Sequence, residues 1–232
     1  MGGTIPVLIE VCVASLEDAL ICQSAGAHRI ELNQALELDG LTPSIGLIER
    51  TRESLDIPVI AMTRPRAGDF FYREDDWLTL LADADRMLDK GVEGVAFGAL
   101  DGDRRIDVNR CRQMRRLAGA ADLVFHKAFD DVPDPMVALE QLVDAGIDRV
   151  MTSGLAARAI EGTSVIRQLQ DHAKGRIEVL PAGGISSQNV VEILSETRCT
   201  QIHGSFRNSA ERDFRQELLK VHKLFQDIGT PL

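Results

Sequence analysis

Val7-Leu8-Ile9-Glu10-Val11-Cys12 and Arg29-Ile30-Glu31-Leu32-Asn33 are the first of eight short apolar runs along this 232-residue chain. Six more follow: Val59-Ile60-Ala61-Met62-Thr63-Arg64, Val95-Ala96-Phe97-Gly98, Leu123-Val124-Phe125-His126, Arg149-Val150-Met151-Thr152-Ser153-Gly154, Ile177-Glu178-Val179-Leu180-Pro181-Ala182-Gly183-Gly184 and Thr200-Gln201-Ile202-His203-Gly204-Ser205. Nearly every run ends in a polar residue, a glycine or both. Strands that alternate with helices eight times describe an α/β fold, a single (β/α)8 TIM barrel. In that fold the chemistry sits where strands end, so the ends of these runs nominate the site.

The segments between the runs carry helix signals. Ser15 before Leu16-Glu17-Asp18 is a capping-box-like start, and Gly26 closes that segment. Thr42 followed by Pro43 reads as an N-cap with proline at the first helical position, and Asp134-Pro135 repeats the device. From Glu74 to Lys90, Trp77, Leu80, Leu81, Ala84, Met87 and Leu88 recur at helical spacing until Gly91. Two connections, Leu32 to Leu41 and Pro65 to Arg73, exceed ordinary strand-to-helix length and follow strand ends, where barrels keep functional loops. No Pro/Gly/Ser-rich linker divides the chain, so residues 1–232 read as one domain.

Composition bounds the function. Hydrophobic residues make up 44% of the chain and charged residues 27%, as in an ordinary soluble globular protein. The net charge is −10, with 26 Lys and Arg against 36 Asp and Glu. That balance excludes nonspecific nucleic-acid binding, which needs a basic excess, but admits a small anionic ligand held by local arginines. Four scattered cysteines (Cys12, Cys22, Cys111, Cys199) form no C-x-x-C pair and suit a reducing compartment. No apolar stretch is long enough to span a membrane, and Met1 to Pro6 lacks the features of a signal peptide. The expectation is a cytoplasmic protein without membrane association.

Strand parity sharpens the site. In the first run Ile9, Val11 and Val13 share an apolar face that must meet the helices, so Glu10 and Cys12 point into the barrel. The same rule turns Arg29, Glu31 and Asn33 inward, His126 inward behind an outward Phe125, and Gln201, His203 and Ser205 inward. Arg64 continues the inner face of Ile60 and Met62. Interior charges are costly unless paired, so Glu10, Glu31, Arg64, His126 and His203 are expected to form one polar network. Asp130 shares the parity of His126 and is expected to orient its ring. Lys127 falls on the parity of Phe125 and drops out.

Glu10, Glu31, His126, Asp130 and His203 are therefore the candidate catalytic set, fit for acid/base chemistry or for ligating a metal. Gly183 and Gly184 after the seventh run expose backbone N–H groups where many barrels bind phosphate, and Ser205 and Arg207 follow the eighth. With Arg64 and with Arg66, which beside Asp69 reads either as an anion clamp or as part of a surface salt-bridge network, they make up the candidate anion-binding set.

Several segments resemble the CutC copper-homeostasis family: Glu10-Val11-Cys12-Val13, Arg29-Ile30-Glu31-Leu32, Asp39-Gly40-Leu41-Thr42-Pro43-Ser44 and Met62-Thr63-Arg64-Pro65-Arg66-Ala67-Gly68-Asp69-Phe70. So do His126-Lys127-Ala128-Phe129-Asp130, Thr152-Ser153-Gly154, Ala182-Gly183-Gly184-Ile185 and His203-Gly204-Ser205. The match is collinear over roughly residues 7 to 207. The resemblance implies a cytosolic TIM barrel, self-associated as a homodimer or higher oligomer, linked to copper handling, with Cys12 as a metal ligand. Members proposed to bind copper typically carry a second cysteine where this chain has Asn33. Two functions follow: a copper-homeostasis protein that binds copper, or a TIM-barrel enzyme using acid/base chemistry on a small phosphorylated or carboxylated sugar-like anion.

Overall fold

The computed structural model describes residues 7–207 and 214–228. The residues before Val7, read above for a signal peptide, lie outside that range. Among the described residues each of the eight runs forms a strand: β1 (Leu8–Val13), β2 (Arg29–Leu32), β3 (Val59–Met62), β4 (Gly94–Phe97), β5 (Asp122–Phe125), β6 (Arg149–Thr152), β7 (Glu178–Pro181) and β8 (Gln201–Gly204). They alternate with helices α1 (Leu16–Ser24), α2 (Ile45–Ser54), α3 (Glu74–Asp89), α4 (Val108–Ala118), α5 (Pro135–Asp144), α6 (Thr163–Ala173), α7 (Val190–Thr197) and α8 (Phe214–Ile228). All strand pairs are parallel, in the order β7-β6-β5-β4-β3-β2-β1-β8. A parallel bridge between Ala182 and His203 joins the two ends, so the sheet closes as a (β/α)8 barrel.

The helices begin where their sequences supply an acceptor for orphan N–H groups. Ser15 accepts from Asp18 N–H at 3.1 Å, and Asp134 accepts from Met136 and Val137 N–H with Pro135 in the first turn. The second helix corrects the expected Thr42–Pro43 start: its cap is Ser44, which accepts from Leu47 N–H. Thr42 instead ties two loops together. Its hydroxyl accepts from Arg64 N–H at 3.0 Å, and its own N–H donates to Arg64 O.

Two apolar layers follow from the alternation. Ile9, Val11, Ile30, Leu32, Phe125 and Ile202 face outward into the layer shared with the helices. Inside the barrel, Ile60, Met62, Ala96, Val124, Met151, Leu180 and Ala182 form a smaller cluster contributed by β3 to β7 and the residue after β7. The inner face of β8, β1 and β2 is polar: Gln201, His203, Glu10, Arg29 and Glu31 are all buried there. The site sits on this polar seam.

Candidate functional site

Strand register assembles the seam in two layers. Glu10 stands between Arg29 on β2 and His203 on β8, and Cys12 stands beside Glu31. In the lower layer one Glu10 oxygen accepts from Arg29 Nε, and the other lies 2.7 Å from His203 Nδ1. Arg29 continues to Gln201 Oε1 at 3.1 Å, Gln201 donates to Glu178 at 3.2 Å, and Glu178 accepts from Arg149 at 2.8 Å. This chain, buried up to the exposed Glu178, plugs the lower end of the barrel.

In the upper layer His203 presents its other nitrogen to Cys12 and Glu31, with Nε2 at 3.8 Å from Glu31 Oε2. One ligand atom from each of Cys12, Glu31 and His203 lies within 4.8 Å of the others. Asn33, buried just past β2, donates to Glu31 Oε2 at 2.8 Å, while Glu31 Oε1 and Asn33 Oδ1 are buried without partners. Gly40 is required here. Its φ is +83°, and a Cβ would fall 2.3 Å from Asn33 Oδ1.

The surroundings push the two inner carboxyls apart. Burial works to raise Glu10, but the Arg29 guanidinium and the His203 hydrogen bond outweigh it and hold the carboxyl at about 2. Burial raises Glu31, reinforced by the Glu10 charge and opposed by His203. Burial works against a charged His203, yet Glu31, Cys12 and Glu10 together hold it well above the ordinary histidine range. Such divergence between neighbouring titratable groups is what acid/base and metal sites share.

Cys12, Glu31, Asn33 and His203 floor a cavity of about 830 Å3 at the C-terminal ends of the strands. Its other wall carries Arg64, Phe70, His126, Met62 and Met151, and Lys127, Asp130 and Arg207 stand at its margin. A second cavity of about 630 Å3 shares Cys12, Lys127, His203, Ser205 and Arg207 with the first and adds Gly183 and Gly184. Apart from Glu10 and Arg66, the candidate residues thus converge on one mouth, but not as the single network expected.

Glu10, Glu31 and His203 interact directly, whereas Arg64 and His126 stand apart from them. The Arg64 guanidinium donates to Leu38 O, Gly40 O and Gly68 O and lies over the Phe70 ring at 5.0 Å. His126 Nδ1 accepts from Ala128 N–H at 3.1 Å. Burial, with the Arg64 charge, pushes that ring down to about 3, so it is neutral. Gly98 makes room for it, since a Cβ there would lie 2.4 Å from His126 Cε1.

Asp130 does not orient His126. The chain leaves β5 in a 3-10 turn over Lys127–Asp131, which ends the two-residue alternation. Asp130 therefore reaches the end of β6, accepting from Thr152 Oγ1 at 2.5 Å, Ser153 N–H and Oγ–H, and Leu155 N–H. The same turn returns Lys127 to the mouth despite its parity. Arg66 is not available to an anion as expected: it braces its own loop through Asp69, Asp76 and Phe71 O and stacks on Tyr72. Arg207 lines both cavities but is already paired with Asp18 at 2.6 Å.

The profile of the CutC family matches residues 7–208, a span that contains the whole seam and mouth. The chain belongs to the CutC family. A CutC family protein of Treponema denticola is 46% identical over 195 residues, covering 84% of this chain and 79% of that protein. A mouse protein named copper homeostasis protein cutC homolog is 44% identical, covering 88% and 75% respectively. The crystal structure of the Streptococcus agalactiae CutC protein superposes with a TM-score of 0.82 at 32% identity, over 86% of this chain and 98% of that one.

Within this CutC chain, sequence reasoning missed the role of Phe70, which packs against both Arg64 and His126. It also missed Arg149, although its parity with Met151 turns it inward. No described helix is long and apolar enough to cross a membrane.

Proposed function

We propose that the chain serves copper homeostasis in the cytoplasm by holding one copper ion on the cavity floor, between the Cys12 thiolate and His203 Nε2, with Glu31 on the third side. The observation that carries this reading is the convergence of those three ligand atoms to within 4.8 Å. Thiolate and imidazole are donors that copper favours. Glu10 on Nδ1 fixes the His203 ring and strengthens Nε2 as a donor, as carboxylates behind metal-bound histidines do. The partnerless Glu31 Oε1 is the kind of buried acceptor that a cation would satisfy.

The residues therefore fit a single ion, with one thiolate. Asn33 brings an amide oxygen, a poor donor to Cu(I), where a second thiolate would strengthen the site. The mouse and human relatives, both named copper homeostasis proteins, support the cellular role. All four cysteines are free, in keeping with a reducing compartment.

Anaerobic titration of Cu(I) against a chromophoric chelator tests the reading. One equivalent is expected to be held by the wild type, with affinity falling by about tenfold or more in Cys12→Ser and in His203→Gln. A wild type that takes up no Cu(I), or a Cys12→Ser variant that titrates like it, overturns the assignment. Retention of Zn(II) without Cu(I) would keep the site but reject copper as its cargo.

A further inference from the structure

Arg64 is buried, at 4% exposure, and none of the carboxylates among the described residues pairs with it. The barrel's other buried arginines differ: Arg29 faces Glu10, and Arg149 faces Glu178. An unneutralised buried guanidinium is costly, and it is tolerated where something else supplies the charge. Of its five N–H donors, three go to the carbonyl oxygens of Leu38, Gly40 and Gly68. The Nε–H and one Nη2–H remain, on adjacent nitrogens, and Nε is buried without a partner. Two such donors match the two oxygens of a carboxylate.

His126 repeats the pattern on the same wall. Because Nδ1 accepts a backbone N–H, the neutral ring carries its proton on Nε2. That nitrogen is also buried without a partner. Phe70 packs against both side chains, 5.0 Å from the guanidinium and 5.0 Å from the imidazole. Elsewhere in the lining the imbalance reverses, since Glu31 Oε1 and Asn33 Oδ1 are buried acceptors that lack donors. A volume of about 830 Å3 is within the range of small-molecule sites and far larger than one ion needs.

We propose that this cavity binds a small hydroxycarboxylate. Its carboxylate lies on Arg64 and His126 Nε2–H, and its hydroxyl donates to the Glu31–Asn33 side. Phe70 and Met62 supply the apolar wall between. The carboxylate half of the assignment rests on Arg64 and His126, which the copper reading does not use, so metal-free protein suffices to test it; only the hydroxyl half shares Glu31 with that reading.

The experiment is calorimetry on metal-free protein with lactate, glycerate and malate, with inorganic phosphate as the competing anion. At least one hydroxycarboxylate is expected to bind saturably with a Kd of about 1 mM or tighter. His126→Leu should weaken that binding about tenfold by deleting one donor. Arg64→Lys should weaken it at least about tenfold by losing the fork while keeping the charge. Because Arg64 also braces two loops, a second readout is taken on the wild type: the His126 Nε2–H proton resonance should move as the ligand is added. Absence of saturation with all three acids, binding of phosphate alone, unchanged affinity in His126→Leu, or a stationary His126 resonance would each overturn the proposal.

Discussion

Replacing His126 with glutamine should flatten the acid sensitivity of this fold by a predictable amount. The imidazole is 4% exposed, and burial together with Arg64 pushes it down to about 3. In the unfolded chain it titrates near about 6.5. The folded value is depressed, so the unfolded state binds the proton more readily. The stability tied to the neutral ring is therefore complete above about pH 6.5 and is lost as pH falls toward 3. At about 1.4 kcal/mol per pH unit, the step from pH 7 to pH 5 removes about 2 kcal/mol. Glutamine stays neutral throughout, and its amide oxygen can still accept from Ala128 N–H. The variant is expected to lose about 1 kcal/mol at pH 7 from imperfect replacement. Urea unfolding of both proteins at pH 7 and pH 5 supplies the test. The wild type should lose about 2 kcal/mol more than the variant over that interval. Parallel losses would mean that His126 takes up its proton in the folded protein and that the buried, neutral ring described here is wrong.

Other perturbations address other parts of the mouth. Glu10→Gln leaves Arg29 buried without its counter-charge and should cost about 3 kcal/mol or more in urea unfolding at pH 7, whereas a loss below about 1 kcal/mol would contradict the paired lower layer. Asn33→Cys places a second thiolate on the inner face next to Glu31 and should raise Cu(I) affinity by at least about tenfold. Unchanged affinity in a folded Asn33→Cys protein would argue against the cavity floor as the copper site. Asp130→Asn weakens the hydrogen bonds that hold Ser153 and Leu155. Amide exchange over residues 153–155 should accelerate by about tenfold, with Cu(I) stoichiometry unchanged. No acceleration would show that Asp130 does not hold that loop.

Side-chain alternation makes much of the barrel legible in the sequence. Glu10, Cys12, Glu31 and His203 face inward because Ile9, Val11, Ile30 and Ile202 commit the opposite face to the helices. The rule stopped working where the strands stop. Past Phe125 the chain winds into a 3-10 turn, so Asp130 swings to the end of β6 and Lys127 returns to the mouth. Loop partners were equally out of reach. The spacing of Arg66 and Asp69 admits the salt bridge they form, but nothing in it reveals that Asp76 on α3 takes a second donor. Nor does the position of Arg64 show that loops from β2 and β3 cross close enough to supply three carbonyl oxygens. Pairing of charges depends on tertiary approach, which a one-dimensional period does not encode.

Cys12 and His203 are proposed to share one copper ion on the cavity floor. X-ray absorption at the copper edge, on protein loaded with one equivalent of Cu(I), reads those ligands. One sulfur scatterer with at least one imidazole nitrogen is the predicted shell, and Cys12→Ser should remove the sulfur. A shell without sulfur, or with sulfur that survives Cys12→Ser, would mean that Cys12 does not hold the copper.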